Sequence, residues 1–355
     1  MREVTWDYKP THFNSIAAVQ KVTAIWGFTE SVFGGILHIL KIPFTGLIIG
    51  SFAVLFIFLI AHYSKKPIMI LRSTMTVILI KAVVSPYAPL TAYFAVSLQG
   101  LLGFLFFSFF KYELLSTILL GVTALTLSAL QKIIILTILF GTTFWHSIDL
   151  FYESILKELN LVVSILPQNI SIVLISIYIS IHAFAGLIVG IKAFSIPQKI
   201  KQMADMFKID NEKFNNNIDL FEKRKTNKKK KWWQKTSGII ILTIFFSLAV
   251  YSYFTPQFNK QKSIEILLMI IRSFAITLIW FYFLSPVIVK FFRKVIVKKQ
   301  LAYNSEINRA ISLFPKFKTL LNYAWENSQD KKGITRIKNF LYTSLIMILI
   351  YELNE

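Results

Sequence analysis

Apolar residues in this chain arrive in blocks of about twenty, and that block length limits what the chain can fold into. A helix rising 1.5 Å per residue crosses the hydrocarbon core of a bilayer in about twenty residues. Nothing in that core can hydrogen-bond a bare peptide group, so blocks of this length must be helices that satisfy their own backbone. A transmembrane β-barrel would show short segments of alternating polarity, and the sequence has none. Hydrophobic residues make up 55% of the chain, and the mean hydropathy is +0.59. Charged residues reach only 16%, against about 25% in ordinary globular chains. The expected fold class is therefore an all-α polytopic membrane protein.

Nine runs are long enough to count as spans: 15–40, 44–62, 68–85, 90–110, 114–143, 170–194, 238–253, 264–289 and 337–351. The connections between them set an orientation. Lys65 and Lys66 follow the second run and Lys111 follows the fourth, whereas 86–89 carries no charge and 145–158 carries Asp149, Glu153 and Glu158 against Lys157. Placing the N-terminus inside puts every basic connection of the first six helices in the cytoplasm except Lys41, as the positive-inside rule requires. The polar N-terminus, with Arg2, Asp7 and Lys9, shows no apolar stretch or cleavage site, so no cleavable signal peptide is expected. The expected location is the cytoplasmic (inner) membrane.

The net charge of +21 is uneven. Residues 198–236 hold twelve Lys or Arg against five Asp or Glu and include Lys228-Lys229-Lys230-Lys231-Trp232-Trp233. That stretch divides the chain into a six-helix unit (1–197), a basic cytoplasmic linker (198–236) and a three-helix unit (237–355). Paired tryptophans beside a lysine run suit anionic lipid head groups, with Trp at the interface and Lys in the surface potential. That cause is simpler than nucleic-acid binding, which we do not assign. Between the last two runs, 301–325 has helical spacing of apolar residues and is broken at Pro315, so a pair of amphipathic helices is expected there. Such a pair would lie on the membrane surface or dock a cytoplasmic partner.

An ionisable residue inside a span is costly and marks the protein interior or a polar cavity. The first six runs contain Glu30, His38, Lys81, Lys132 and His182, with Gln99 and Gln131 as uncharged polar residues equally out of place in lipid. The loop Ser85-Pro86-Tyr87-Ala88-Pro89, continuing to Tyr93, closes the same side and is stiffened by its prolines. The candidate contacts for a small polar solute are Glu30, Lys81, Tyr87, Tyr93, Gln99, Lys132 and His182. An alternative reading of the same residues is that Glu30 pairs with Lys81 or Lys132 simply to let the bundle form. Small residues recur at four-residue steps in Thr23, Gly27, Ser31 and Gly35, and again after His182 at Gly186 and Gly190, the usual device for close helix approach in lipid. Cysteine is absent, which removes disulfides and thiolate chemistry. The sequence has no Walker loop, metal-type histidine cluster or nucleophile elbow, so neither an enzyme nor a cofactor or metal site is expected.

Six helices that begin and end on the cytoplasmic side, with polar residues toward the outer face, resemble the membrane-embedded S components of energy-coupling factor (ECF) importers. The resemblance covers about the first 195 residues. It rests on Glu30-Ser31, Lys41-Ile42-Pro43-Phe44-Thr45-Gly46, Lys81-Ala82-Val83-Val84-Ser85-Pro86 and Ala95-Val96-Ser97-Leu98-Gln99-Gly100 through Gly103. It implies capture of a small polar nutrient, with a separate ATPase and coupling subunit as partners. S components often carry an Ala-x-x-x-Ala docking face on the first helix; here Thr23, Gly27, Ser31 and Gly35 stand in that place. The C-terminal unit is similar to a reduced T (coupling) component, with amphipathic helices around Leu313-Phe314-Pro315, but lacks the Ala-Arg-Gly or Ala-Arg-Ser ends of that family. Two readings from other classes stand beside this one. One is a non-transporting membrane scaffold that recruits a partner or anionic lipid. The other is a channel or secondary transporter coupled to protons through Glu30 and His182.

Overall fold

The computed structural model describes residues 15–39, 44–85, 88–159, 169–204, 260–280 and 284–350. Tyr87, the side chain of His38, the apolar run 238–253 and the Lys228–Trp233 cluster lie outside the described residues. Among the described residues every regular element is helical. The first run forms α1 (Ser15–Phe28), a π-helical turn (Thr29–Phe33) and α2 (Gly34–Ile39). There follow α3 (Thr45–Ser64), α4 (Ile68–Val84), α5 (Leu90–Phe109), α6 (Glu113–Phe140), α7 (Thr142–Glu158), α8 (Ile170–Phe194) and α9 (Ile196–Ala204). The C-terminal part supplies α10 (Lys260–Ile279), α11 (Ser285–Ala302), α12 (Asn304–Ser312), α13 (Phe314–Glu326) and α14 (Gly333–Ile350).

Four helices, α3, α5, α6 and α8, are long and apolar enough to cross a membrane. Along α8 the large apolar side chains Ile172, Leu174, Ile177, Ile181, Phe184 and Ile188 are exposed. Apolar side chains around so much of a helix belong in lipid rather than water. The structure also refines the apolar runs. The fifth ends at Phe140 because Gly141 takes a left-handed φ of 75° and starts a new helix. Residues 145–158, expected as a connection, are helical within α7. The eighth run comprises two α-helical stretches, α10 and α11, with Pro286, which has no N–H to donate, in the first turn of α11.

The contacts group the chain into two compact units. The first holds 1–131, 176–215 and 289–355. Within it α1, α3, α4 and α5 pack on one another around Trp26, Phe58, Ile57, Leu59 and Ile80. The same core continues into α12 and α13, whose Ile307, Ala310, Leu313, Phe317, Leu320 and Ala324 recur at steps of three and four and are all buried. These helices pack on α1 and α4, so their apolar face is covered by the chain itself. The ring of Phe28 meets Phe314 and Phe317 edge-on at 5.1 and 6.3 Å. The second unit holds 132–175 and 216–288. In it α7 packs on α10, and Asp149 accepts hydrogen bonds from the backbone N–H and the hydroxyl of Ser171 at 2.7 and 2.9 Å. That carboxylate satisfies the open N-terminus of α8 and complements its dipole.

Phe317→Ala should cost about 3–5 kcal/mol by emptying the space beneath α13, read as a lower midpoint of thermal unfolding in detergent. Leu301→Ala, at a residue that is 79% exposed, should shift stability by less than about 0.5 kcal/mol. Equal effects of the two substitutions would contradict the packing of α13 on α1.

Candidate functional site

The site is built around the break in the regularity of the first helix. At Thr29–Phe33 the chain widens into a π turn, in which the N–H of Gly34 donates to the carbonyl of Thr29 five residues back. The carbonyl of Glu30, within this turn, takes a donor from another helix. The Lys81 ammonium on α4 donates to it at 3.2 Å and to the Glu30 carboxylate at 2.8 Å. Both residues are buried, Glu30 4% and Lys81 5% exposed. The ammonium thus bridges the backbone and side chain of one residue and joins α1 to α4 in the interior. Of the two partners the sequence allowed for Glu30, the described ion pair is with Lys81.

Helix α4 offers polar groups to three neighbours along its length. Ser73 accepts a hydrogen bond from the hydroxyl of Thr23 on α1 at 2.8 Å, and the Thr23 hydroxyl is also within 2.7 Å of its own Val19 carbonyl. Thr74 lies where a side chain on Gly100 of α5 would have to stand, so α4 and α5 meet almost backbone to side chain. Thr76 donates to the Glu306 carboxylate of α12 at 3.1 Å. With Lys81 these make a seam of small hydroxyls ending in one ammonium.

Three buried polar atoms near the core of this helix cluster have no hydrogen-bond partner: the Trp26 indole Nε1, the Ser31 hydroxyl and the Gln99 amide oxygen. Gln99 is otherwise buried beside Gly50 of α3. Most buried polar groups in folded proteins are satisfied, and those that are not call for an explanation such as a bound polar molecule. Together the three provide a donor, an acceptor and a group that can be either.

The other residues picked out by sequence fall as follows. Tyr93 is buried and its hydroxyl reaches the Ser85 carbonyl at 3.5 Å, closing the end of α4 against the start of α5. Gln131 donates to the Thr91 carbonyl at 3.2 Å. His182 is 1% exposed, bonds its own Tyr178 carbonyl at 2.9 Å and sits against the rings of Phe44 and Tyr178. Lys132 is exposed and belongs to the second unit. Of the small-residue steps, Gly27, Gly186 and Gly190 pack closely within the chain, whereas a side chain at Gly35 would meet open space. A side chain at Gly27 would come within 2.8 Å of Ile80, and one at Gly190 within 2.7 Å of the Ile118 backbone.

Sequence reasoning missed Lys21, Trp26 and the Thr76–Glu306 bond. Lys21 is buried and donates to the Leu349 carbonyl at 3.0 Å. A lysine six residues into an apolar run is the signal that could have flagged it. Trp26 reads as ordinary core, and its unpaired N–H is visible only in three dimensions.

The chain matches no known protein family, no curated protein and no solved structure.

Removing one partner of a buried ion pair leaves the other charge uncompensated, at a cost of about 3–5 kcal/mol, whereas replacing both by neutral groups of similar size is far less costly. Glu30→Gln and Lys81→Met should each lower the unfolding midpoint strongly, and the double variant should recover most of the loss. Single variants as stable as the wild type would show that the pair does not hold α1 to α4.

Proposed function

We propose that the chain is a membrane-embedded solute-binding subunit of an ECF-like importer for a small polar nutrient, energised by a separate ATPase. In this reading the chain crosses the inner membrane about nine times with its N-terminus in the cytoplasm. Residues 1–197 form the solute-binding part and 237–355 the coupling part, joined by the basic linker. The observation that carries it is the buried Glu30–Lys81 pair in a π turn, in the same helix cluster as the unpaired groups of Trp26, Ser31 and Gln99. Irregular helix geometry, intramembrane charge and unfilled polar groups occur together where membrane proteins handle solutes. The Glu30–Lys81 pair would fix the geometry of the site, Gln99 and Ser31 would supply hydrogen bonds, and Tyr93 and His182 would shape its walls. Tyr87 lies outside the described residues and Lys132 belongs to the second unit, so neither is assigned a contact here. The packing of α12 and α13 on α1 and α4 supports a coupling role, because movement of those helices would be felt directly at the Lys81-bearing helix. Lys228–Lys231 with Trp232 and Trp233 would hold anionic lipid.

Purified protein should be stabilised against heat by a subset of small polar nutrients, and Gln99→Leu should abolish that shift without unfolding the chain. An ATPase should copurify from native membranes. A panel without any stabilising solute, together with copurification that yields no ATPase, would overturn this reading.

One observation favours the non-transporting scaffold as the second reading. Glu30 and Lys81 neutralise each other directly at 2.8 Å, and the Thr23 and Gly27 face is spent on α4. The charge-swapped double variant Glu30→Lys/Lys81→Glu separates the two. A purely structural pair predicts no solute-dependent stabilisation in the wild type or in the swap, whereas a solute site predicts a wild-type shift that the folded swap loses.

A further inference from the structure

We propose that the first turns of α14, with Trp325 of α13, form a docking surface for the phosphate of an anionic phospholipid. The centre is Arg336, whose guanidinium carbon lies 4.2 Å from the centre of the Trp325 ring. The indole is itself braced edge-on by Phe340 at 5.3 Å. A guanidinium held over an aromatic ring still has its N–H fork to offer, and that fork suits a phosphate oxygen pair. The Arg336 Nε is buried and has no hydrogen-bond partner. No ion pair among the described residues joins Arg336 to Glu326 or Asp330, the acidic residues nearest in sequence.

Two further features select a lipid surface over another anion. Lys332 and Lys338 are exposed on either side of Arg336 in sequence, and Lys331 is held by Asn339 at 3.0 Å. These cations share their turns with Ile334, Ile337 and Leu341, which are 85%, 53% and 41% exposed and recur at helical spacing. Farther along α14, Leu345 to Leu349 are buried in the protein, so the exposed apolar stripe is confined to the end that carries the charge. An apolar stripe level with cations and a half-exposed tryptophan is the arrangement of a helix end at the head-group layer, with alkyl groups below and charge at the phosphates. The chain already brings four apolar helices to a membrane, so the surface has its partner at hand. This inference is independent of the proposed solute site.

The test uses the full chain in nanodiscs of phosphatidylcholine alone or with phosphatidylglycerol, with lipid retention read by native mass spectrometry and stability by thermal unfolding. Phosphatidylglycerol should be retained and should raise the unfolding midpoint. Arg336→Gln should weaken its retention about fivefold, the effect of one interfacial cation. Arg336→Lys keeps the charge but not the fork, and should fall between. Replacing Lys228–Lys231 by glutamine should leave the Arg336-dependent part unchanged. If Arg336→Gln does not fold, the Lys332→Gln/Lys338→Gln pair carries the same expectation at the flanking cations. Undiminished retention in the Arg336 variants, or equal stabilisation by inorganic phosphate in phosphatidylcholine discs, would overturn the proposal.

Discussion

A lysine ammonium inside an apolar helix cluster must find acceptors in place of water, and those that Lys81 finds fasten α4 to the π turn that continues α1. Lys81 holds both the carboxylate and the carbonyl of Glu30, a residue of the π turn. The rest of the α4 seam follows from the same registration. With Lys81 on Glu30, Ser73 comes level with Thr23, eight residues earlier on α4 and seven earlier on α1. Hydrogen bonds of this kind between membrane helices contribute about 0.6–2 kcal/mol each. Close approach supplies the rest: Gly27 under Ile80 lets the two backbones come together along the same seam.

That seam also positions the C-terminal helices. Because α1 and α4 are locked side by side, they present a joint surface of Phe28 and Thr76, and α12 and α13 bring Phe314, Phe317 and Glu306 to it. The contact is apolar around one polar bond, the usual way to give a hydrophobic interface a single register. Residues separated by 230 positions in sequence are adjacent in the fold.

Block length alone placed α3, α4, α5 and α8 to within a few residues, because twenty apolar residues in a row leave the backbone little choice. Gly141 was harder to read, since a glycine in an apolar run serves equally as packing contact or as turn, and only its positive φ decides. The acidic stretch within α7 read as a loop because its charges mask an amphipathic helix. Within the site, Glu30, Lys81 and Gln99 stood out as polar residues in apolar surroundings. Their pairing was not legible, because Lys81 and Lys132 carry the same chemistry and a sequence holds no distances. His182 stands out in the sequence for its polarity and Tyr93 as an aromatic contact, yet each has a hydrogen bond to a nearby carbonyl.

Lys21 shows why composition misleads at helix ends. Six residues from the start of α1, it looks like a cation waiting at the membrane surface, but it is buried and its ammonium meets the Leu349 carbonyl. A carbonyl buried in an apolar setting cannot turn to water, and a charged donor is among its strongest partners. Lys21 supplies both the hydrogen and the charge at the Leu349 carbonyl of α14, where Leu345 to Leu349 are buried. The two ionisable residues of α1 and its π turn therefore act alike. Glu30 receives an ammonium from α4 and Lys21 gives one to α14, so each of these two charges is the fastening point of a different helix.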